Sequence, residues 1–201
     1  MQPYEIIVSP FEVYIADEGT AFPAIDADMS SESDWHLLGK NGTRNYSEDG
    51  VTVTHEQDVE RHRTAGATGP VKASRTEEDL VIGFTLHDLT LEEYVYALSG
   101  QTITEEAAGA SDAGYKTVGL SLGLDIATHA LLVRGPSPYL ADHKMQYQVK
   151  RVYHEGSPEI TYQKGEMAGI EFEFVALEDP SASDEHERFG TLVAANAAAT
   201  E

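Results

Sequence analysis

Val51 to Arg63 reads V-T-V-T-H-E-Q-D-V-E-R-H-R. Side chains in an extended strand alternate between two faces. The odd positions are Val51, Val53, His55, Gln57, Val59, Arg61 and Arg63, so one face starts apolar. The even positions are Thr52, Thr54, Glu56, Asp58, Glu60 and His62, so the other face carries three successive carboxylates. Thirteen extended residues span roughly 43 Å, long for a strand of a globular domain. Thr64-Ala-Gly-Ala-Thr-Gly-Pro70 is rich in turn formers, and Val71 to Glu78 is suited to return as a partner. The expectation is a long hairpin over about 51–78 whose tip (Thr64, Gly66, Thr68, Gly69, Pro70) projects beyond the body.

Downstream, Leu80, Ile82, Phe84 and Leu86 share one face of a core strand. Thr90 and Glu93 then have capping-box spacing, and Leu91, Tyr94, Val95 and Leu98 form one helical stripe, closed by Gly100. This predicts a helix over about 90–99. Further strands are expected at Tyr115–Leu122, Ala130–Arg134, Lys144–His154, Glu159–Gln163 and Glu166–Leu177. In the last of these, Phe172 and Phe174 face the core while Glu171 and Glu173 face away. Upstream, Phe11–Ala16 and Trp35–Leu38 read as strands, separated by an Asp-, Ser- and Pro-rich loop over Gly19–Ser33. The pattern is that of a mainly β fold: a β-sandwich or barrel with one packed α-helix, a long projecting hairpin and terminal arms. A single domain is expected over 1–178, followed by a C-terminal arm over 179–201, loose or docked on a neighbour.

Charge narrows the function. The 201 residues hold 35 Asp and Glu against 13 Lys and Arg, a net charge of −22. A nucleic-acid binder needs cations to neutralise phosphates and release counterions, so tight DNA or RNA binding is excluded as the main task. With 41% hydrophobic residues there is enough apolar material for a core, so acidity does not imply disorder. The chain has no cysteine, which excludes disulfides, thiolate catalysis and Cys-ligated metal. Its N-terminus lacks the basic start and apolar stretch of a signal peptide, and no apolar run approaches the roughly 20 residues of a membrane helix.

A search for chemistry finds little. The eight histidines are scattered, without an H-E-x-x-H pair. Asp26-x-Asp28-x-Ser30 begins like a calcium loop, but Ser31 stands where glycine is needed and Leu37 where glutamate is needed. There is no G-x-S-x-G, Walker or G-x-G-x-x-G motif, so no catalytic residue, metal or cofactor is expected. The Glu56, Asp58, Glu60 stripe reads either as a solvated strand face or as a wall that repels polyanions, which Glu171 and Glu173 would extend.

Several stretches together resemble the major tail proteins of long, flexible-tailed bacteriophages. They are P-F-E-V-Y-I-A-D-E-G-T-A-F-P (Pro10–Pro23), W-H-L-L-G (Trp35–Gly39), Y-S-E-D-G-V-T-V (Tyr46–Val53), G-P-V-K-A-S-R-T-E-E-D (Gly69–Asp79), L-H-D-L-T-L-E-E-Y (Leu86–Tyr94), F-E-F-V-A-L-E-D-P (Phe172–Pro180) and R-F-G-T-L-V (Arg188–Val193). The resemblance covers most of the chain in order, and no single stretch is a catalytic motif. It implies a β-sandwich flanked by a helix, in hexameric rings stacked into a hollow tube through which the genome passes. It further implies a non-enzymatic virion protein that is assembled in the host cytoplasm. Its partners would be other copies of itself, the tape measure, tail terminator and tail-tip proteins, and DNA in non-sticking transit, with no membrane. On this reading Glu56, Asp58, Glu60, Glu171 and Glu173 are candidates to face the lumen, and the hairpin tip is a candidate inter-subunit contact. Three readings compete: a tail terminator or tail-tip ring, a carbohydrate- or protein-binding β-sandwich with Tyr139, Tyr153 and Tyr162 as an aromatic platform, and a hydrolase with paired carboxylates.

Overall fold

The alternation beginning at Val51 becomes one half of the longest ladder in the molecule. The computed structural model describes residues 5–198 and is mainly β. In chain order its strands are β1 (Glu12–Asp17), β2 (His36–Leu37), β3 (Tyr46–His62), β4 (Lys72–Leu86), β5 (Thr104–Glu106), β6 (Tyr115–Thr117), β7 (His129–Pro136), β8 (Lys144–His154), β9 (Ile170–Ala176) and β10 (Thr191–Ala194). Helix α1 (Leu91–Ala97) follows β4. The main sheet is antiparallel in the order β2-β1-β7-β8-β9-β4-β3, and β5 and β6 form a separate ribbon. β8 is shared by three partners. Its first half pairs β10 and its last residues pair β9 along the same edge, opposite β7.

This sheet rolls over its main core, and a smaller cluster of Tyr14, Trp35 and Leu132 lies on the opposite face of β1 and β7. Val13 and Ile15 of β1 and Leu131 and Val133 of β7 belong to the same buried cluster as Ile82 and Phe84 of β4 and Phe172 and Phe174 of β9. The Phe84 and Phe172 rings stack at 5.2 Å. Tyr46 draws the two ends of the sheet together. Its hydroxyl, on β3, accepts from the Val13 backbone N–H at 3.0 Å and donates to the Leu38 carbonyl at 2.8 Å. The phenol thereby satisfies backbone groups that the short β2 leaves unpaired, in a place closed to water.

The outer face of β1, β7 and β8 is covered by the acidic segment between β1 and β2. Three buried side chains donate to its carbonyls: Trp35 Nε1 to Ala21 (3.1 Å), Gln146 Nε2 to Pro23 (3.1 Å) and Arg134 Nη2 to Ile25 (2.7 Å). A stretch that reads as a plain loop is therefore fastened to the sheet by polar groups whose burial requires partners.

The hairpin is longer than its sequence boundaries. Lys72–Glu78 and Leu80–Leu86 are parts of one continuous β4, so the same strand runs from the projection into the core. From His55 and Leu80 outward most residues are exposed. The projection extends about 26 Å at the usual rise for eight residues. A bulge at Thr76, opposite Asp58 and Val59, marks its middle.

Four expectations need correction. Tyr115–Leu122 pairs only as far as Thr117, and Glu159–Gln163 forms no strand. The helix spans Leu91–Ala97 rather than 90–99. The segment from Asp179 docks on its own chain: Phe189 packs against the core and Thr191–Ala194 join β8. Residues 1–4 and 199–201, the ends of both expected arms, lie outside the described residues.

Candidate functional site

Register determines which acids meet. β3 pairs β4 so that Glu56 stands opposite Asp79 and Asp58 opposite Glu77. β4 pairs β9 so that Gly83 stands opposite Glu173 and Thr85 opposite Glu171. Leu80, Ile82, Phe84, Phe172 and Phe174 are turned into the core. Their alternates Asp79, Val81, Gly83, Glu171 and Glu173 therefore share the outer face with Thr52, Thr54 and Glu56. A groove crosses this face, lined by Asp49, Glu56, Glu171 and Glu173 beside Thr52 and Gly83. Gly83 opens its floor, because a Cβ there would meet only the Phe172 carbonyl, at 3.9 Å.

The five sequence candidates thus fall on one continuous surface. Glu56, Glu171 and Glu173 line the groove, while Asp58 and Glu60 continue the same parity along the projecting part of β3. The structure adds Asp49, Glu77 and Asp79. Glu77 and Asp79 were legible only once their strand register was known. Among the described residues none of these eight carboxylates has a cation within 4 Å. Like charges directly opposite each other on a ladder are destabilising. The surface therefore holds a negative potential that the fold leaves uncompensated.

Arg61 and Arg75 have the opposite parity, while Lys72 stands opposite His62 at the tip end of the acidic face. Arg75 turns to the other face, where Nε donates to Gln57 Oε1 at 3.0 Å and Nη1 to Glu78 Oε2 at 2.8 Å. Arg188 joins the same Glu78 at 3.1 Å and Glu178 at 3.0 Å, tying the base of the projection to the C-terminal segment. Arg61, Arg63 and Lys72 are exposed around the tip, so a basic end caps an acidic stem. The tip residues Thr64, Gly66, Thr68, Gly69 and Pro70 are all exposed. The Ala67 N–H donates to the Thr64 carbonyl and Arg63 Nη1 to the Thr68 carbonyl, each at 3.1 Å, giving the turn a defined shape.

A second polar cluster was missed in the sequence. Glu93 is 2% exposed and bonds His36 Nε2 at 3.0 Å, so the T-x-x-E spacing does not mark a closed capping box. Asp88 holds the helix start instead, accepting from the Thr90 and Lys40 N–H groups. His36 stacks on Tyr96, whose ring meets His129 edge-on. The Glu93 hydrogen bond raises the His36 pKa, and burial lowers those of His129 and His154. The calcium-like stretch is used structurally. Asp26 accepts from His143 Nδ1 (2.6 Å) and the Lys144 N–H (3.1 Å), which hold its carboxyl below the usual range. Asp28 accepts from the Ser30 N–H at the head of a 3-10 turn. Among the described residues no three His, Asp or Glu side chains converge as a metal site, and no helix is long and apolar enough to cross a membrane.

No protein-family model matches this chain, and no curated protein matches it either.

Proposed function

We propose that the chain is the repeating subunit of a phage-type tail tube, closing into hexameric rings that stack into a conduit for DNA. The observation that carries this reading is the uncompensated acidic face across β3, β4 and β9. A surface that DNA must slide past without sticking has to withhold the cations that release counterions from phosphate. Here Glu56, Asp58, Glu60, Glu171 and Glu173 face one way, while Arg75 is turned to the opposite face. The acidic face lines the lumen. The basic tip, with Arg61, Arg63 and Lys72, reaches the acidic surface of a neighbouring ring, which supplies the opposite charge. The sequence resemblance and the lack of any recognised catalytic motif point the same way, to a structural virion protein. Its remaining partners are the tape measure, tail terminator and tail-tip proteins.

Negative-stain microscopy of the purified protein tests this. Rings and stacked tubes are expected; monomers alone at high concentration overturn it. A tail terminator or tail-tip ring would give single rings that do not stack.

A further inference from the structure

Between β6 and β7 the chain reads V-G-L-S-L-G-L-D-I-A (Val118–Ala127). Leu120, Leu122, Leu124 and Ile126 recur at period two, which is a strand pattern, yet none of these residues joins a ladder. Their side chains are 76%, 52%, 103% and 65% exposed. Four large aliphatic groups in one short stretch form an exposed apolar patch, around a cavity shared with Tyr94, Leu98 and Tyr153, of the kind that marks an interaction surface. The alternate positions hold Gly119, Ser121, Gly123 and Asp125, so the whole stretch carries one charge.

We infer that Val118–Ala127 adds as a strand to the free outer edge of β3 in a second copy of this chain. β3 ends the sheet order, so among the described residues its backbone from Val51 to His62 has a partner on the β4 side only. An open edge of that length is a template for another strand. The two alternations agree. The odd-numbered side of β3 carries Val51, Val53 and Val59, with His55 and Gln57 between them, and its valines match the aliphatic residues; the other side carries Thr52, Thr54, Glu56 and Asp58. Antiparallel or parallel addition alike would set Gly119, Ser121 and Gly123 beside the acids without adding a cation. Charge selects the occupant as well. Two copies at −22 each repel over most of their surfaces, and this nearly neutral stretch is where they approach at least cost. Donor and acceptor are different parts of the chain, so the contact is head-to-tail and closes a ring when the rotation permits. The inference rests on the ring reading above and names its closing contact.

Hydrogen exchange on the wild-type protein, assembled and unassembled, tests it together with a Leu120→Asp, Leu124→Asp variant. Assembly is expected to slow amide exchange at least tenfold in both 118–127 and 51–59. The variant is expected to keep the monomer's exchange elsewhere and to form no rings. Rings in which 118–127 exchanges as fast as in the monomer overturn the inference and leave the ring reading standing. Rings of the variant equal to wild type overturn it likewise. A wild-type protein that forms no rings at all overturns both. If the variant does not fold, the wild-type exchange comparison decides alone.

Discussion

The opposed carboxylates on the hairpin predict that charge reversal stabilises the subunit while harming its task. Glu56 faces Asp79 and Asp58 faces Glu77 across the ladder. Directly opposite side chains have Cβ atoms about 4.5–5.5 Å apart, and each like-charge or opposite-charge pair is worth roughly 0.2–1 kcal/mol. All four side chains are exposed, which holds the effect toward the lower part of that range. Glu56→Lys with Asp58→Lys turns two repulsive pairs into two attractive ones. The double variant should gain about 1–2 kcal/mol. For a domain of this size that is a rise in Tm of about 2–8 °C. Differential scanning calorimetry of the unassembled protein at low ionic strength measures it, and 0.5 M salt should remove most of the gain. A control double variant, Glu106→Lys with Glu159→Lys, changes net charge equally at exposed acids that no other acid opposes across a ladder. An equal rise in the control would show a general charge effect, and a fall in the hairpin variant would refute the cross-strand reasoning. In assembled particles the same variant should slow DNA ejection, because lysines on the lumen wall would hold phosphate.

Other perturbations address the scaffold. Tyr46→Phe strands the Val13 N–H and the Leu38 carbonyl in a buried place, and should cost about 2–4 kcal/mol in urea unfolding; a loss under 1 kcal/mol would mean the sheet ends close without the phenol. Gly190 has φ +131°, and a Cβ there would lie 2.0 Å from the Gln148 carbonyl oxygen. Gly190→Ala should therefore unseat β10, seen as faster amide exchange over 191–194 with slow exchange retained in β4 and β9; unchanged exchange in β10 would contradict the account. Burial lowers the pKa of His129 and His154 below the ordinary value of about 6.5, so their neutral forms favour folding and stability falls as pH drops below that value. His36 is raised by Glu93 and works the other way, its contribution being present below about pH 6.5 and lost above its folded pKa. Thermal unfolding from pH 7.5 to 5 should thus decline more steeply in His36→Gln and less steeply in His129→Gln; identical profiles would show that these rings do not govern the slope.

Much of the architecture was legible because alternation reports burial directly. Leu80–Leu86 and Ile170–Ala176 have one apolar and one polar face, and both pair as central strands. Alternation says nothing about partners, however, so Glu77 and Asp79 joined the acidic face only through register with Asp58 and Glu56. The same limit explains two errors at Val118–Leu122 and Glu159–Gln163. Each has strand-like composition, but a strand forms only when it pairs, and neither stretch meets an edge of its own sheet, the free edge of β3 included. Glu93 misled for another reason. Capping-box spacing describes local options, while the His36 ring offers the buried Glu93 carboxylate a tertiary partner. The loop over Gly19–Ser33 concealed its role because its backbone carbonyls, which carry no sequence signature, take the bonds from Trp35, Arg134 and Gln146.

A three-dimensional reconstruction of the purified protein's assembly, with the β3–β4 hairpin traced, is the most direct test. The account predicts sixfold rings stacked into a tube, with Glu56, Asp58, Glu60, Glu171 and Glu173 on the lumen wall and Arg61, Arg63 and Lys72 against the next ring. A tube with that acidic face on its outer surface, or a protein that remains monomeric at every concentration, would contradict it.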